Sequence, residues 1–330
     1  MKMRKILSIT LCLVLSLSCI GILTSCSKAG QQTEEQTTKK EKITIAYQGG
    51  IGYAPVHILE AKNLIEQNYS GEVEVVFQKL DSGADINTGI IGGTIDIGCM
   101  GVGPAISAVA SGVPAKIITN LCSQSHGLMT SDKNIKSLSD IKDEQIALVN
   151  IGSFQHVLLA MAAEKELGDA HALDKNIVKM AHAEGYAALE GGTVKLHLTS
   201  SPFINREREN KNYSEIKAIN EIWPDGNSFL VALCSTKISQ ENPELFEAIT
   251  KSFAQAIDFI NSDKQSAAEI IAKYLEQDVE TTLSDLNDPT CSFFGELKGV
   301  KTMADFMYNA KFIENKVEFE NIKFENVKGN

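Results

Sequence analysis

Five polar stretches hold the residues of this chain best suited to gripping a small molecule: Gln48, Gly49 and Gly50 with Tyr53; Gly101, Val102 and Gly103; Ser123 and Gln124 with His126; Ser153 with Gln155 and His156; and Glu184 with Tyr186. Their hydroxyl, amide and imidazole groups donate and accept hydrogen bonds, and their glycines let a ligand approach the backbone. The chemistry implied is capture without covalent change. Helix starts at Pro104 and Ser153 offer unpaired N–H groups with partial positive charge, which suit an anionic head group. The same glycines equally suit plain turns. No arginine or lysine lies in these stretches, so recognition by a guanidinium fork is not expected. Tyr53, Phe154, Tyr186, Phe203 and Trp223 are available to an apolar or ring-containing ligand, or to the core. His126, His156, His182 and His197 lack the i, i+4 pairing or clustering of a metal centre, and neither metal nor cofactor is expected.

These residues must be positioned by the elements around them, which alternate between β-branched runs and amphipathic stretches, the pattern of βαβ units. The spacing predicts strands at 43–47, 73–77, 95–99 and 115–121, with helices at 54–67, 84–91 and 104–110 between them. A second series has strands at 145–149, 177–180, 194–198 and 215–219 and helices at 153–167 and 184–190. A strand at 229–234 follows, and then a helix start at Asn242-Pro243-Glu244: a capping amide, a proline that tolerates lacking its N–H, and an acid at the positive end of the dipole. Helices dominate from there to Asn315. The expected fold is α/β, with residues 43–130 plus 230–330 as lobe I and 131–229 as lobe II, two mostly parallel sheets joined by crossovers near Thr130 and Phe229. Ligands of open α/β sheets bind beyond the carboxyl ends of the strands. Two such lobes facing each other enclose a cleft, and two connecting strands make a hinge that can close it.

Upstream of the first strand, Lys2, Arg4 and Lys5 precede an apolar run from Ile6 to Leu17, the layout of a secretion signal over residues 1–25. Leu23-Thr24-Ser25-Cys26 resembles the bacterial lipobox, which favours a lipidated Cys26 over an uncleaved membrane span and puts the chain on the extracytoplasmic face of the cell membrane. Residues 26–42 are too polar to fold and read as a tether. The remaining chain is long enough for two domains at roughly 150 residues each. Its net charge of −11 becomes more negative once the three signal cations are removed, which argues against nucleic acid as a partner. A monomer is expected. Cys99, Cys122, Cys234 and Cys291 show no metal-ligand spacing. They read either as buried thiols or as including a disulfide, with Cys99 and Cys122 the pair if their strands are neighbours.

Several motifs in order carry a family resemblance: Gln48-Gly49-Gly50 with Gly52-Tyr53 and Pro55, Gly92-Gly93-Thr94-Ile95-Asp96-Ile97-Gly98, Gly101-Val102-Gly103-Pro104, Gly152-Ser153-Phe154-Gln155-His156, and Trp223-Pro224-Asp225-Gly226-Asn227-Ser228. Together they resemble the nitrate/sulfonate/taurine-type substrate-binding proteins of ABC transporters, over nearly all of Ile43 to Asn315. The resemblance implies a two-lobed periplasmic-binding-protein type II fold and a lipoprotein that captures a small organic anion and delivers it to an ABC permease and its ATPase. It implies no enzymatic step. The family's Gly-x-x-Asp-Ala pattern is replaced here by Gly192-Thr193-Val194-Lys195-Leu196, which implies a different cleft side on the second lobe. A neutral heterocycle such as a pyrimidine precursor is the alternative ligand. A pyrimidine-forming synthase on the same fold uses a cysteine-rich segment, and the nearest match, Cys291-Ser292-Phe293-Phe294-Gly295, has one cysteine. A sensory ectodomain would need a spanning helix and a cytoplasmic segment after it, which the sequence does not offer.

Overall fold

The computed structural model describes residues 40–330. The secretion signal, the lipobox with Cys26 and nearly all of the tether lie outside the described residues. Ten strands follow in the described chain: β1 (Glu41–Tyr47), β2 (Val73–Lys79), β3 (Ile97–Gly101), β4 (Ala115–Cys122), β5 (His126–Thr130), β6 (Ile146–Leu148), β7 (Ile177–Lys179), β8 (Leu196–Ser200), β9 (Ser214–Ile216) and β10 (Leu230–Ser235). The first strand starts at Glu41, two residues before its expected start at Ile43, because Glu41 pairs with Val73 in the first sheet.

The strands form two five-stranded sheets, ordered β2-β1-β3-β10-β4 and β7-β6-β8-β5-β9. Both are α/β sheets covered by helices, and both are mixed. In each, four strands run one way and one runs against them: β10 is antiparallel to β3 and β4, and β5 to β8 and β9. The reason is topological. A chain that leaves one lobe at the carboxyl end of β4 enters the other lobe at the cleft, so β5 must run away from the cleft. The return into β10 repeats the move, and Leu230 enters beside Gly101 and Cys122, the carboxyl ends of β3 and β4. The crossover expected near Thr130 accordingly falls at residues 123–125, since the run His126–Thr130 is a strand of the second sheet.

Local sequence sets most of the elements. β3 and β8 are buried along their whole length, as strands covered on both faces must be. The helix Phe154–Leu167 is capped by Ser153, whose side chain accepts the His156 N–H, and ends at Gly168 in the left-handed conformation. Asn242 caps the long helix Pro243–Ser262, where Leu245, Ile249, Phe253, Ala256 and Ile260 bury one face. The expected helix 54–67 is broken in two at Asn63, which adopts φ 47°. The expected strand 215–219 is a short strand followed by the helix Ala218–Ile222. The tail after Pro243 lies on the first lobe, where Phe324 N–H donates to Ile117 of β4 and Asn315 to the Ala110 carbonyl at the end of the helix Val102–Ala110.

All four cysteines in the described residues are buried free thiols. β10 lies between β3 and β4, so Cys99 and Cys122 are not on neighbouring strands. Burial raises the pKa of each thiol, that of Cys291 to about 12, which leaves them unreactive.

Candidate ligand-binding cleft

Between the carboxyl ends of the two sheets lies a cleft of about 730 Å³. Each wall is built where strands lead into helices. Helices Gly83–Ile91 and Val102–Ala110 begin at one wall, and helices Phe154–Leu167 and His182–Glu190 begin at the other. Four helix N-termini therefore direct partial positive charge into one space. Lys79, at the end of β2, and Arg206, on the helix Phe203–Glu209, add full charges at the walls. Tyr53, Phe154, Phe203 and Phe229 supply aromatic surface between them.

Of the residues singled out from sequence, Gln48, Gly49, Gly50, Tyr53, Gly101, Gln124, Ser153 and Gln155 line the cleft. Gln48 donates to the Tyr53 hydroxyl at 2.9 Å, and burial raises the Tyr53 pKa well above its ordinary value, with Cys99 and Cys122 adding to the effect. Gln124 donates to the Cys291 sulfur at 3.7 Å. Gly152, at φ 76°, sets the loop from which Ser153 begins its helix. A side chain there would be strained.

The other seven stand behind the wall. Val102 is fully buried, and its N–H donates to the Phe229 carbonyl. Gly103 serves close approach between the lobes, because a Cβ there would sit 3.4 Å from Val157 Cγ2, and one at Gly101 would sit 3.1 Å from Phe154 Cβ. These two glycines let the helix Val102–Ala110 seat against the helix Phe154–Leu167. Ser123 accepts the Gly226 N–H at 2.9 Å and so ties one crossover to the other. His126 is buried in an aromatic knot at the hinge, with ring centroids 4.9 Å from Phe154 and 4.5 Å from Phe229, and burial lowers its pKa to about 3. Trp223, expected as a possible ligand platform, packs edge-on to Phe154 in the same knot. His156 accepts the Gly152 N–H and pairs with Asp174. Glu184 accepts the Ala181 N–H at the start of its own helix, and Tyr186 donates to Glu190. The Gly192–Leu196 departure lies before β8, at the end of that strand away from the cleft, so it does not alter the wall; Lys195 there pairs with Asp132.

Two cations from outside the stretches singled out from sequence, Lys79 and Arg206, also line the cleft. Asp81, Asn150, His182, Ser201, Gln277 and Asp285 join them. His182 is the most informative of these. Its Nδ1 lies 2.9 Å from Thr199 Oγ1, its ring stacks near Phe203, and burial, with His197 and His126 nearby, lowers its pKa to about 3. It therefore presents a neutral hydrogen-bonding ring at the cleft. Asp285 is half-buried, with its pKa raised by burial.

Among known structures the chain is similar to the periplasmic aliphatic sulphonate binding protein SsuA of Escherichia coli, at 18% identity and a TM-score of 0.66, covering 88% of this chain and 94% of that one. It is similar too to the alkanesulfonate-binding protein SsuA of Xanthomonas axonopodis pv. citri, determined bound to MOPS, at 17% identity and a TM-score of 0.67 over 87% and 99% of the two chains. A third is the periplasmic nitrate-binding protein NrtA of Synechocystis PCC 6803, at 12% identity and a TM-score of 0.57 over 73% and 69%. At such identities the likeness is one of fold, the two-lobed fold of periplasmic binding proteins. Comparison with curated sequences finds no match. A family model, that of the NMT1-like family, matches residues 36–276. That is well over half of the chain, which therefore belongs to the NMT1-like family.

Proposed function

We propose that this chain is the extracytoplasmic solute-binding lipoprotein of an ABC importer, held at the membrane through Cys26, and that it captures a small organic anion of the sulfonate class for delivery to the permease. It performs no reaction on that ligand. The observation that carries this reading is the convergence of four helix N-termini, Lys79 and Arg206 on one aromatic-lined cleft between two lobes. Lys79 and Arg206, with the helix N-termini, offer an anionic group partners on both walls beside the carboxylates of Asp81 and Asp285, and Tyr53, Phe154 and Phe203 suit an apolar or ring-containing remainder. The similar structures that bind sulfonates and nitrate support the same class. Among the described residues no helix is long and apolar enough to cross a membrane. A single acyl chain holds a protein to a bilayer only marginally, and a lipidated N-terminal cysteine carries more than one.

A thermal-shift screen of the purified protein tests the ligand class. Organosulfonates at 100 times their dissociation constant should add about 2.7 kcal/mol to stability. Shifts with sugars or metal ions alone would contradict the reading, and shifts with neutral heterocycles alone would replace the ligand class. Cys26→Ser tests the anchor: the variant should appear in the soluble extracytoplasmic fraction, and retention on membranes after a carbonate wash would point to an uncleaved span.

A further inference from the structure

Behind the wall of lobe II, a chain of hydrogen bonds runs from the cleft loop to lobe I. Gly152 N–H donates to His156 Nδ1 at 2.9 Å. His156 Nε2 lies 3.0 Å from Asp174 Oδ1, and Asp174 Oδ2 lies 2.8 Å from His171 Nδ1. His171 Nε2 lies 2.7 Å from the carbonyl of Ala310, which belongs to the tail that lies on the first lobe. The ring of Phe312, from the same tail, stacks on His171 at 5.2 Å and meets His156 edge-on at 4.9 Å.

The donor and acceptor roles along this chain follow from chemistry. Since Gly152 N–H can only donate, His156 Nδ1 carries no proton, and the proton of that ring is on Nε2, directed at Asp174. The ionised Asp174 only accepts, as does the Ala310 carbonyl. Both nitrogens of His171 must then be donors, so His171 is an imidazolium when both of its bonds are made. Removing one proton breaks either the bond to lobe I or the bond to Asp174 that orients His156.

We propose that His156, Asp174 and His171 are a positioning relay that couples the ligand loop Asn150–Ser153 to the seating of the lobe I tail at Ala310–Phe312, with the proton on His171 as its closing element. The inference rests on the cleft being the ligand site. The surroundings agree with the assignment. The Ala310 carbonyl, then Asp174, then Asp169 raise the His171 pKa against partial burial, so its stabilising contribution is complete at mildly acidic pH and is lost as pH rises through that raised value. Lys311, beside Ala310 in the tail, sits over the Tyr308 ring at 5.3 Å. Other cleft and hinge histidines are out of the same window, because His126 and His182 stay neutral down to about 3.

The test needs no ligand. Spin labels on Lys211→Cys in lobe II and Lys251→Cys in lobe I, both exposed, report the inter-lobe distance by pulsed dipolar spectroscopy, in protein carrying Cys26→Ser and lacking residues 1–25; the four native thiols among the described residues are buried. In the parent sequence one narrow distribution at about pH 6 should broaden by about pH 9, the range in which histidine titrates. His171→Gln and Asp174→Asn should each show the broad distribution at both pH values. Nitrogen chemical shifts of the His171 ring should report two protonated nitrogens at the lower pH. A parent distribution that ignores pH, variants that match the parent at the lower pH, or a singly protonated His171 there would each overturn the relay. A negative result here leaves ligand binding untouched, whereas failure to bind any ligand would leave the distance result standing, so the two failures are told apart.

Discussion

Ser153 has two separable duties at the cleft, and they differ in what they cost to remove. Its hydroxyl accepts the His156 N–H at 3.3 Å as a helix cap, and the same residue lines the cleft. Ser153→Ala should lose about 1 kcal/mol of stability with the cap, whereas Ser153→Gly, nearly as good a cap, should lose only a few tenths. If the hydroxyl also meets a charged ligand group, both variants should bind about ten- to a hundredfold more weakly, the equivalent of about 1.5–3 kcal/mol. Chemical denaturation and calorimetry on the pair separate the duties, and full affinity in Ser153→Gly would leave only the cap. Ser153 was legible in the sequence because a strand, a glycine and an apolar-periodic helix surround it. Lys79 and Arg206 were not. Lys79 is the last residue of a strand whose alternation ends before it, and Arg206 sits a turn into the helix Phe203–Glu209, whose charged sequence gives no apolar stripe to read.

Among the elements, the two sheets repeat one plan. The order β2-β1-β3-β10-β4 is matched place for place by β7-β6-β8-β5-β9, with the incoming crossover strand fourth in each. The βαβ spacing made the parallel strands of both sheets readable. β5 was not readable, because a five-residue strand containing Gly127 and joined to β4 by three residues has no turn signal to mark the change of sheet. The second sheet also depends on a contact that no local pattern encodes. His197 in β8 and Glu207 are both fully buried and pair at 2.5 Å, and the helix His182–Glu190 lies over the imidazole at Gly185. A Cβ at Gly185 would overlap the His197 ring. Ala is the better helix former, so propensity alone favours Gly185→Ala by about 1 kcal/mol. Overlap with an immobile buried ring should outweigh that, for a net loss of about 1–3 kcal/mol. Urea denaturation measures it, and an unchanged or raised midpoint would mean that the helix can lift from the sheet at no cost.

At the scale of the whole molecule, function follows from two lobes whose strand ends face one another, with two crossovers and an aromatic knot of His126, Phe154 and Phe229 at the hinge. Facing lobes were foreseeable from the order of elements, but the wall was not, because its residues come from segments up to 237 positions apart, from Gln48 to Asp285, and meet only after the lobes dock. Glu184, Tyr186, Gly103 and His156 illustrate the point: each lies in a loop or helix start near the cleft, and each is turned toward a neighbour instead. What the assembled wall offers, and the separate loops do not, is a cation on each side of one cavity, Lys79 and Arg206. The most direct test is calorimetric titration of an alkanesulfonate into the parent protein and into Arg206→Ala, whose exposed side chain can be removed without disturbing the core. The parent should bind, and the variant should bind about ten- to a hundredfold more weakly, the loss of one charged hydrogen bond. Equal affinity in the two proteins, or no binding of any organic anion by a parent that binds a neutral heterocycle, would contradict the account.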